Sequence, residues 1–398
     1  MSSSEDFDDL IATDLAARET AHQLRKRRIL TPLSATRVLC DGRELINFAS
    51  NNYLGLTHHP RIFAAGRSAL EQAGSGSGAA GLITGHSTFH DSAERALANW
   101  KGTQSAILMP SGYQANLAAV QTLAAIGEKV GGVRFLIDKL ANASLIDAAR
   151  ATGAEMRIFP HNHLAKLDRL LGGSSPNQMQ VVLTESIFSM DGDAADLAGL
   201  AELRRRFGFV LLLDEAHGSG VYGEGGAGYA AEMGLGDAVD VSVVTLSKAL
   251  GCAGGAICAS ANFCSAVLNY GRAFIYSTSV SPVTAATAAE AVRVMADEPE
   301  LRERVRLLAR WVRSELPLMG YENMPAGDSP IIPVIVGSEE AALAESARLL
   351  EAGLLVPAVR PPTVPRGASR LRVTVSAAHS DDEVRRLLEE LRRGKASR

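Results

Sequence analysis

Short apolar runs alternate with amphipathic, helix-like stretches through the middle of the chain. Seven of these runs have the length and composition of strands. Strands that alternate with helices predict parallel pairing, because each crossover helix covers a face of the sheet. We therefore expect an α/β fold with a seven-stranded, mostly parallel sheet covered on both faces. The predicted strands are Ala106–Met109, Phe135–Asp138, Met156–Phe159, Val181–Glu185, Val210–Asp214, Val241–Leu246 and Gly255–Ala259.

The N-terminal pattern is different. Residues 1–12 are polar and are expected to fray, whereas Leu15–Arg28 has the periodicity of an amphipathic helix. The basic run Arg25–Arg28 would then be the solvated end of that helix, with a thioester phosphate or nucleic acid as the alternative contact. Val38–Phe48 is typical of a small hairpin, and Asp41-Gly42 supplies its turn.

The C-terminal part mixes helices with a few strands. A helix is predicted over Ser281–Ala296, and strands are predicted over Ile331–Val336 and Leu371–Ser376. This pattern indicates a smaller α+β domain after the sheet domain. The expected organisation is an N-terminal helix and hairpin over 1–57, a large domain over 58–288 and a small C-terminal domain over 289–398.

Composition narrows the class of protein. The chain has 398 residues, 46% of them hydrophobic, and a net charge of −4, so nothing attracts it as a whole to nucleic acid or to an anionic membrane. The N-terminus lacks a secretory apolar region, and no apolar run approaches the roughly 20 residues of a membrane span. Four cysteines without C-x-x-C spacing are expected to be reduced. We expect a cytoplasmic enzyme.

One glycine-rich stretch imitates a dinucleotide-binding motif. Residues 76–81 match G-x-G-x-x-G, but they follow the helix-like segment Arg61–Gln72 and not a strand. The stretch from Gly74 to Gly85 is therefore interpreted as a flexible active-site loop.

Chemically useful side chains follow several of the predicted strands. Because the carboxyl ends of parallel strands meet at one edge of a sheet, ligands bind there. We expect these side chains to converge at that edge. They are Ser111, Asp138, Ser189, Asp214 and Lys248.

Lys248 and Asp214 indicate a particular cofactor. A lysine at the end of a buried strand has a lowered pKa, and its amine can form a Schiff base. With a carboxylate at a neighbouring strand end it fits pyridoxal phosphate, whose aldehyde a lysine carries and whose pyridinium nitrogen pairs with an acid. The Asp-Glu-Ala-His run at 214–217 is also a helicase motif, but the chain has no Gly-Lys-Ser/Thr phosphate loop.

The chain resembles the α-oxoamine synthases, from about Leu15 to about Leu391. The likeness is carried by Asp214–Gly218, Thr245–Lys248 and Phe274–Ser279. It implies the fold of the fold-type-I (aspartate-aminotransferase-like) pyridoxal-phosphate enzymes. It also implies a decarboxylative condensation of a small amino acid with the acyl thioester of coenzyme A or of an acyl carrier protein. Within the family the likeness is greatest to the members that act in biotin synthesis, which favours alanine over glycine or serine.

The resemblance also implies roles for individual residues. Lys248, Asp214 and His217 would be catalytic, and Arg372 would clamp the amino-acid carboxylate, with Asn51 and Tyr53 at the pocket mouth. Ser277 and Thr278 would reach the phosphate of the neighbouring subunit, which implies a homodimer with shared active sites. The cofactor contacts would be Ser111, Gly112, Tyr113, Asn142, Ser189, Asp214, His217, Thr245, Lys248, Ser277 and Thr278.

The match departs from the family at two positions, where Asn142 replaces a histidine and Gly81 an arginine. These departures leave alternatives open: a member of secondary metabolism with another acyl carrier or amino acid, or an aldolase or transaminase on the same fold. Arg370 is expected to be a surface strand residue. His161-Asn162-His163 is expected to be a polar loop, and no metal site is expected.

Overall fold

The computed structural model describes residues 4–173, 177–322 and 324–396. The strands are β1 (Thr31–Pro32), β2 (Arg37–Cys40), β3 (Arg43–Asn47), β4 (Ser105–Met109), β5 (Val133–Asp138), β6 (Glu155–Phe159), β7 (Met179–Glu185), β8 (Val210–Asp214), β9 (Val241–Thr245), β10 (Gly255–Ala259), β11 (Ile331–Gly337), β12 (Leu354–Leu355), β13 (Ala358–Val359) and β14 (Ser369–Thr374). The helices are α1 (Ser4–Thr20), α2 (Pro60–Ala73), α3 (Thr88–Lys101), α4 (Gly112–Glu128), α5 (Ala143–Ala151), α6 (Leu164–Gly172), α7 (Leu197–Phe207), α8 (Tyr229–Glu232), α9 (Ala261–Tyr270), α10 (Arg272–Ile275), α11 (Pro282–Asp297), α12 (Glu300–Leu318), α13 (Glu339–Glu351) and α14 (Asp381–Ala396).

The large sheet has seven strands in the order β4-β10-β9-β8-β7-β5-β6. Strands β5 to β9 pair in parallel, and β10 runs antiparallel to both of its neighbours, β4 and β9. All seven predicted strands are present, and the expected α/β fold with a mostly parallel sheet is confirmed.

Helices cover both faces of this sheet, as the continuous apolar runs predict. In β5, Phe135 and Ile137 pack with residues of α4 and α5, whereas Leu136 between them packs with residues of α6 and α7. All three side chains are buried. The strands therefore lie in the middle of the core, and their polar ends are held rigidly where they emerge.

The N-terminal hairpin is formed by β2 and β3 as predicted. Asp41 and Gly42 both have positive φ values, 49° and 76°, the combination that a tight two-residue hairpin turn requires. β3 also pairs in parallel with β12, and this contact joins the start of the chain to its C-terminal part.

The prediction for the first 28 residues is wrong in its boundaries. The helix spans Ser4–Thr20, so most of residues 1–12, expected to fray, are helical; residues 1–3 lie outside the described part. Residues 23–30 are not helical, although the Arg25–Arg28 side chains are exposed as expected. Charge explains the shift: acidic residues favour the first turns of a helix, and four consecutive cations in its last turn repel one another.

The C-terminal strands form a separate three-stranded sheet in the order β11-β14-β13. β14 is central and all six of its residues are buried. The expected surface position of Arg370 is therefore wrong: the residue is 4% exposed and forms an ion pair with Asp191. A strand covered on both faces can bury a charge only if it is paired, and Asp191 provides that charge.

The sequence analysis expected neither a membrane span nor disulfide bonds, and the structure bears on both only for the residues that it describes. Among residues 4–173, 177–322 and 324–396, no helix has both the length and the apolarity to cross a membrane. The four cysteines are free thiols; Cys40, Cys258 and Cys264 are buried and Cys252 is partly buried.

Candidate active site

Lys248 lies three residues after β9, at the carboxyl edge of the large sheet. The residue is partly buried, and its amine contacts the His217 ring. This burial lowers the pKa of Lys248 to about 8, although the nearby charges of Asp214 and Glu185 oppose the shift. With a pKa of about 8, roughly a tenth of the amine is unprotonated at pH 7, far more than for an ordinary lysine, and the unprotonated form is the one that attacks an aldehyde.

A series of hydrogen bonds joins Lys248 to Arg372 through His217, Tyr53 and Asn51. Its Nζ lies 2.8 Å from Nε2 of His217, whose Nδ1 lies 2.6 Å from the hydroxyl of Tyr53. The Tyr53 hydroxyl donates to Oδ1 of Asn51 at 3.2 Å, and Nη1 of Arg372 donates to the same oxygen at 3.2 Å. The catalytic and substrate-binding candidates are thus brought together in one cleft.

Burial determines the protonation states of the side chains in this hydrogen-bonded series. Burial, with the cations Lys248 and Arg372, holds the pKa of His217 well below its usual value, so its imidazole is neutral. Burial also raises the pKa of Tyr53 to about 12. With Tyr53 donating to Asn51, a neutral His217 donates from Nδ1 to the Tyr53 oxygen and accepts from Lys248 at Nε2. With this tautomer, both ring nitrogens of His217 and the Tyr53 hydroxyl have hydrogen-bond partners.

Asp214 is the last residue of β8 and is 5% exposed. Its Oδ2 accepts from Nδ2 of Asn116 at 2.7 Å, and its Oδ1 accepts from the backbone of Ala216 at 2.9 Å. Burial raises the pKa of Asp214, while Lys248 and Asn116 act in the opposite direction. Asn116 was missed by the sequence analysis because only the fold brings α4 beside β8.

Glu185 is a second buried carboxyl in the site that the sequence analysis did not single out. It is directly opposite Asp214 in the parallel register of β7 and β8, and it is 1% exposed. Burial and the charge of Asp214 raise its pKa well above the usual range, which favours the protonated form of Glu185. Its position at the end of an apolar strand, like that of Asp214, was the available sequence signal.

The turn between β4 and α4 forms a cradle for an anion. Ser111 caps the helix by accepting from the backbone N–H of Gln114 at 3.1 Å, and the first-turn N–H groups of this 17-residue helix point outwards beside it. Gly112 permits the close approach of Thr245, because a Cβ there would lie 2.1 Å from the Thr245 hydroxyl oxygen. Ser111, Gly112 and Thr245, which the resemblance names as cofactor contacts, therefore lie together.

Other predicted contacts lie further out in the single subunit. Ser277 accepts a hydrogen bond from Nε2 of Gln114 at 3.3 Å, which places it beside the first turn of α4. Thr278 is exposed and bridges to Ala80 in the glycine-rich stretch. Tyr113 is 49% exposed, and its hydroxyl donates to Asp147 at 3.0 Å.

The two departures from the family pattern have clear local roles. Asn142 caps α5, since its side-chain oxygen accepts from the backbone N–H of Ser144 at 3.0 Å and from the Ser144 hydroxyl at 2.9 Å. Gly81 lies against Phe274, where a Cβ would be 3.1 Å from a ring carbon. Asn142 therefore stabilises the start of α5, and Gly81 fits a turn in which a larger side chain would press on Phe274.

A cavity of about 510 Å³ opens beside the site. Asn142 and Ser189 form part of its wall, and the carbonyl of Ser189 accepts from Nε of Arg372 at 2.8 Å. The remaining lining combines apolar side chains with a few charges: Arg25, Lys139, Leu140, Ala141, Ala143, Ile146, Phe188, Met190, Asp191, Pro362, Thr363, Val364, Pro365 and Arg370.

The residues present fit pyridoxal phosphate. The anion cradle suits its phosphate, Asp214 suits its ring nitrogen, and the Lys248 amine suits its aldehyde. Among the described residues no cluster of histidine, cysteine and carboxylate side chains suits a metal ion. The three features lie at one sheet edge, which is the arrangement that the cofactor's three ends demand.

Comparisons with known proteins agree with this chemistry. The family described as aminotransferase class I and II matches residues 43–391. The 8-amino-7-oxononanoate synthase of Stutzerimonas stutzeri strain A1501 is 42% identical over 382 residues, covering 96% of this chain and 95% of that protein. The enzyme of the same name from Pseudomonas putida strain W619 is 41% identical, covering 96% of each chain.

Solved structures of related enzymes superpose closely. A serine palmitoyltransferase from S. paucimobilis, bound to a pyridoxal phosphate–myriocin adduct, has a TM-score of 0.91 at 30% identity over 99% of this chain and 98% of its own. The serine palmitoyltransferase of Sphingomonas wittichii has the same TM-score at 33% identity, covering 98% of each chain. The chain belongs to the class I and II aminotransferase family and, within it, to the α-oxoamine synthases, which are pyridoxal-phosphate-dependent acyltransferases.

Proposed function

We propose that this enzyme condenses alanine with a pimeloyl-type acyl thioester, with loss of carbon dioxide, in the reaction of the 8-amino-7-oxononanoate synthases. The observation that carries the proposal is the hydrogen-bonded chain from Lys248 through His217 and Tyr53 to Asn51 and Arg372, which presents an amine and a guanidinium to one small cleft. Relatives of that name at 41–42% identity over nearly the full length support the choice of alanine.

Arg372 orients the amino acid. Its Nε and Nη1 are held by Ser189, Asn51 and Thr374, so the guanidinium plane is fixed before substrate arrives. A guanidinium fixed in this way donates to a carboxylate from a set direction and so sets the direction of the bonds at Cα.

Lys248 moves the proton. When bound, pyridoxal phosphate supplies a ring that accepts the electron pair released at the substrate Cα. The Lys248 amine, with its pKa lowered to about 8, would take the Cα proton, and His217 holds the amine in position at 2.8 Å. Asp214, whose carboxyl group Asn116 orients, would hold the proton on the ring nitrogen.

The cavity beside Asn142 suits the acyl thioester. Ile146, Met190 and Val364 offer an apolar wall for an acyl chain, and Arg25 and Lys139 lie on the lining where a carrier's phosphate would need a positive charge. Both coenzyme A and an acyl carrier protein carry such a phosphate, so both belong in the assay.

Serine is the second candidate amino acid. The solved serine palmitoyltransferases superpose with a TM-score of 0.91, whereas the 8-amino-7-oxononanoate synthase of Francisella tularensis superposes with 0.75 at 23% identity, which concerns the fold alone. This difference in shape favours testing serine beside alanine.

The experiment pairs the purified holoenzyme with alanine, glycine or serine, each with pimeloyl thioester on coenzyme A or on acyl carrier protein. Mass spectrometry then identifies the decarboxylated product. We expect the alanine product to form fastest, and none with Lys248→Ala. A serine product formed faster, or no condensation with any pair, would overturn the proposal.

We also propose that the enzyme is a homodimer whose sites are shared. Ser277 and Thr278 lie among exposed apolar side chains: Leu82 is 50% exposed, Ile83 77% and Tyr276 72%. A contiguous apolar surface around functional residues is typical of a protein interface.

A further inference from the structure

His161 bridges two carboxylates beside the cofactor site. Its Nδ1 lies 3.1 Å from Oδ1 of Asp138, and its Nε2 lies 2.7 Å from Oδ2 of Asp193. Its ring meets the edge of Phe188 at 4.3 Å with an interplanar angle of 86°. The expected polar loop at residues 161–163 therefore contains one histidine with two fixed ionic partners.

This geometry stabilises the imidazolium. Burial opposes the charged form, but the hydrogen bonds and the charges of Asp138 and Asp193 outweigh it and raise the pKa of His161 to about 10. Asp193 needs this charge, because its Oδ1 is buried and has no hydrogen-bond partner among the described residues. Arg313 is another cation that acts on Asp193, while Arg370 is paired with Asp191.

The first carboxylate holds the turn that leads to Asn142. Asp138 ends β5 and is 1% exposed. Its Oδ1 accepts from the backbone N–H of Leu140 at 2.8 Å, and its Oδ2 accepts from that of Asn162 at 2.9 Å. The turn from Asp138 ends at Asn142, which forms part of the cavity wall.

The residue that bears the second carboxylate, Asp193, closes the loop that carries Ser189 through its backbone. The backbone N–H of Phe188 donates to the carbonyl of Asp193 at 2.9 Å, and that of Gly192 donates to the carbonyl of Phe188 at 2.8 Å. Asp193 is therefore the end of a short closed loop that contains Ser189. Two predicted cofactor contacts, each in the segment that follows a different strand, thus depend on the two residues that His161 joins.

We propose that His161 is a positioning residue of the cofactor site: as a doubly hydrogen-bonded cation it ties the turn after β5 to the loop after β7, and so fixes Asn142 and Ser189 against pyridoxal phosphate. The proposal rests on the cofactor and not on the proposed substrates. Its tests therefore use pyridoxal phosphate alone, and their outcome is independent of whether alanine is the amino acid.

The first test measures the protonation of His161 directly. In the apoenzyme labelled with ¹⁵N-histidine, NMR at about pH 8 reports whether each ring nitrogen carries a proton. The His161 signals are assigned as those lost in His161→Gln or, if that variant does not fold, as those shifted in Asp193→Asn. An ordinary histidine is neutral at this pH. We expect both nitrogens of His161 to be protonated; a neutral ring would overturn the proposal.

The second test measures cofactor binding by the folded variants. Glutamine at 161 cannot donate to both carboxylates, so His161→Gln should weaken pyridoxal phosphate binding about tenfold, the size of coupling seen between contacting polar groups. It should also change the visible circular dichroism per bound cofactor, which reports ring orientation. Asp193→Asn should act in the same direction, and adding it to His161→Gln should weaken binding little further.

The matched control is His163→Gln. His163 is exposed, and its Nδ1 accepts only from the backbone of Lys166 at the start of α6, so its removal should leave affinity and dichroism unchanged. A purely structural role for His161 would lower the melting temperature alone. Wild-type affinity and dichroism in both His161→Gln and Asp193→Asn would therefore contradict the proposal.

Discussion

At the scale of single residues, burial in the site shifts the pKa values of four titratable groups away from their ordinary values. Burial acts on all of them but in opposite directions, because it penalises whichever form is charged. Lys248 and His217 are pushed towards their neutral forms, while Asp214 and Glu185 are pushed towards their protonated forms. Pairs whose pKa values are moved in this way mark acid–base sites.

The lowered pKa of Lys248 predicts how fast the apoenzyme takes up its cofactor. Only the unprotonated amine attacks an aldehyde, so the association rate should rise with pH and level off above about 8. For Nα-acetyl-lysine, whose side-chain amine is free, the rate under the same conditions should inflect near about pH 10.4. Stopped-flow absorbance with pyridoxal phosphate measures both. An inflection of the enzyme near that of the free amino acid would show that Lys248 is not desolvated.

The raised pKa of Glu185 predicts a pH-dependent stability. Its folded-state pKa is raised, so between the unfolded pKa, near 4.5, and the folded one the native state holds a proton that the unfolded state releases. Stability is therefore lost as pH rises through this window. Relative to Glu185→Gln, the wild-type apoenzyme should lose up to about 1.4 kcal/mol of unfolding free energy per pH unit.

Urea denaturation of both apoenzymes between about pH 5 and pH 7 tests this slope. Glutamine preserves the neutral shape without a titrating proton, and Glu389→Gln on the exposed face of α14 controls for a general effect of charge. Parallel pH curves for wild type and Glu185→Gln would mean that Glu185 is ionised in the folded protein.

At the scale of elements, the carboxyl ends of the strands were predictable and their surroundings were not. Apolar runs located Lys248, Asp214 and Ser111 at one edge, because strand direction follows from alternation with helices. Asn116, on a neighbouring helix, and His161, in a loop, act through contacts that no local pattern encodes. The boundaries of α1 were predicted wrongly for another reason: the prediction followed apolar periodicity and gave less weight to the charges at the helix ends.

Arg370 shows a further limit of local patterns. Strand periodicity cannot tell whether one or both faces are covered, and β14 is covered on both. The side chain of Arg370 is 5% exposed, its guanidinium pairs with Asp191, and its Nε donates to the carbonyl of Ala368 at 3.0 Å.

This burial predicts the cost of removing the charge. Arg370→Ala should lower the unfolding free energy by about 2–4 kcal/mol, because it leaves a cavity and a partly buried carboxylate without its partner. Arg366→Ala, in the exposed loop before β14, should change it by no more than about 0.5 kcal/mol. Denaturant melts compare the two, and equal midpoints would place Arg370 on the surface after all.

At the scale of the whole molecule, the cleft of one subunit contains the amine, the acid and the guanidinium, whereas Ser277 and Thr278 lie beside an exposed apolar surface. A two-fold dimer that covers this surface would bring the same residues to both sites at once. Activity then becomes a property of the pair of chains.

Mixing two defective variants tests this arrangement. Lys248→Ala and the double variant Ser277→Ala/Thr278→Ala should each lose activity. If the sites are shared, a dimer of one chain of each kind has one intact site. Re-equilibrated at equal amounts, the mixture should regain about a quarter of wild-type activity. No regain in a mixture whose hybrid dimers are confirmed by native mass spectrometry would confine each site to one chain.

The central claim is that Lys248 is the residue that carries the cofactor. Reduction of the holoenzyme with borohydride makes that bond permanent, and peptide mass mapping then locates it. We predict that the adduct lies on Lys248 and that Lys139, which lines the neighbouring cavity, stays unmodified. An adduct on Lys139, or wild-type incorporation by Lys248→Ala, would contradict the account.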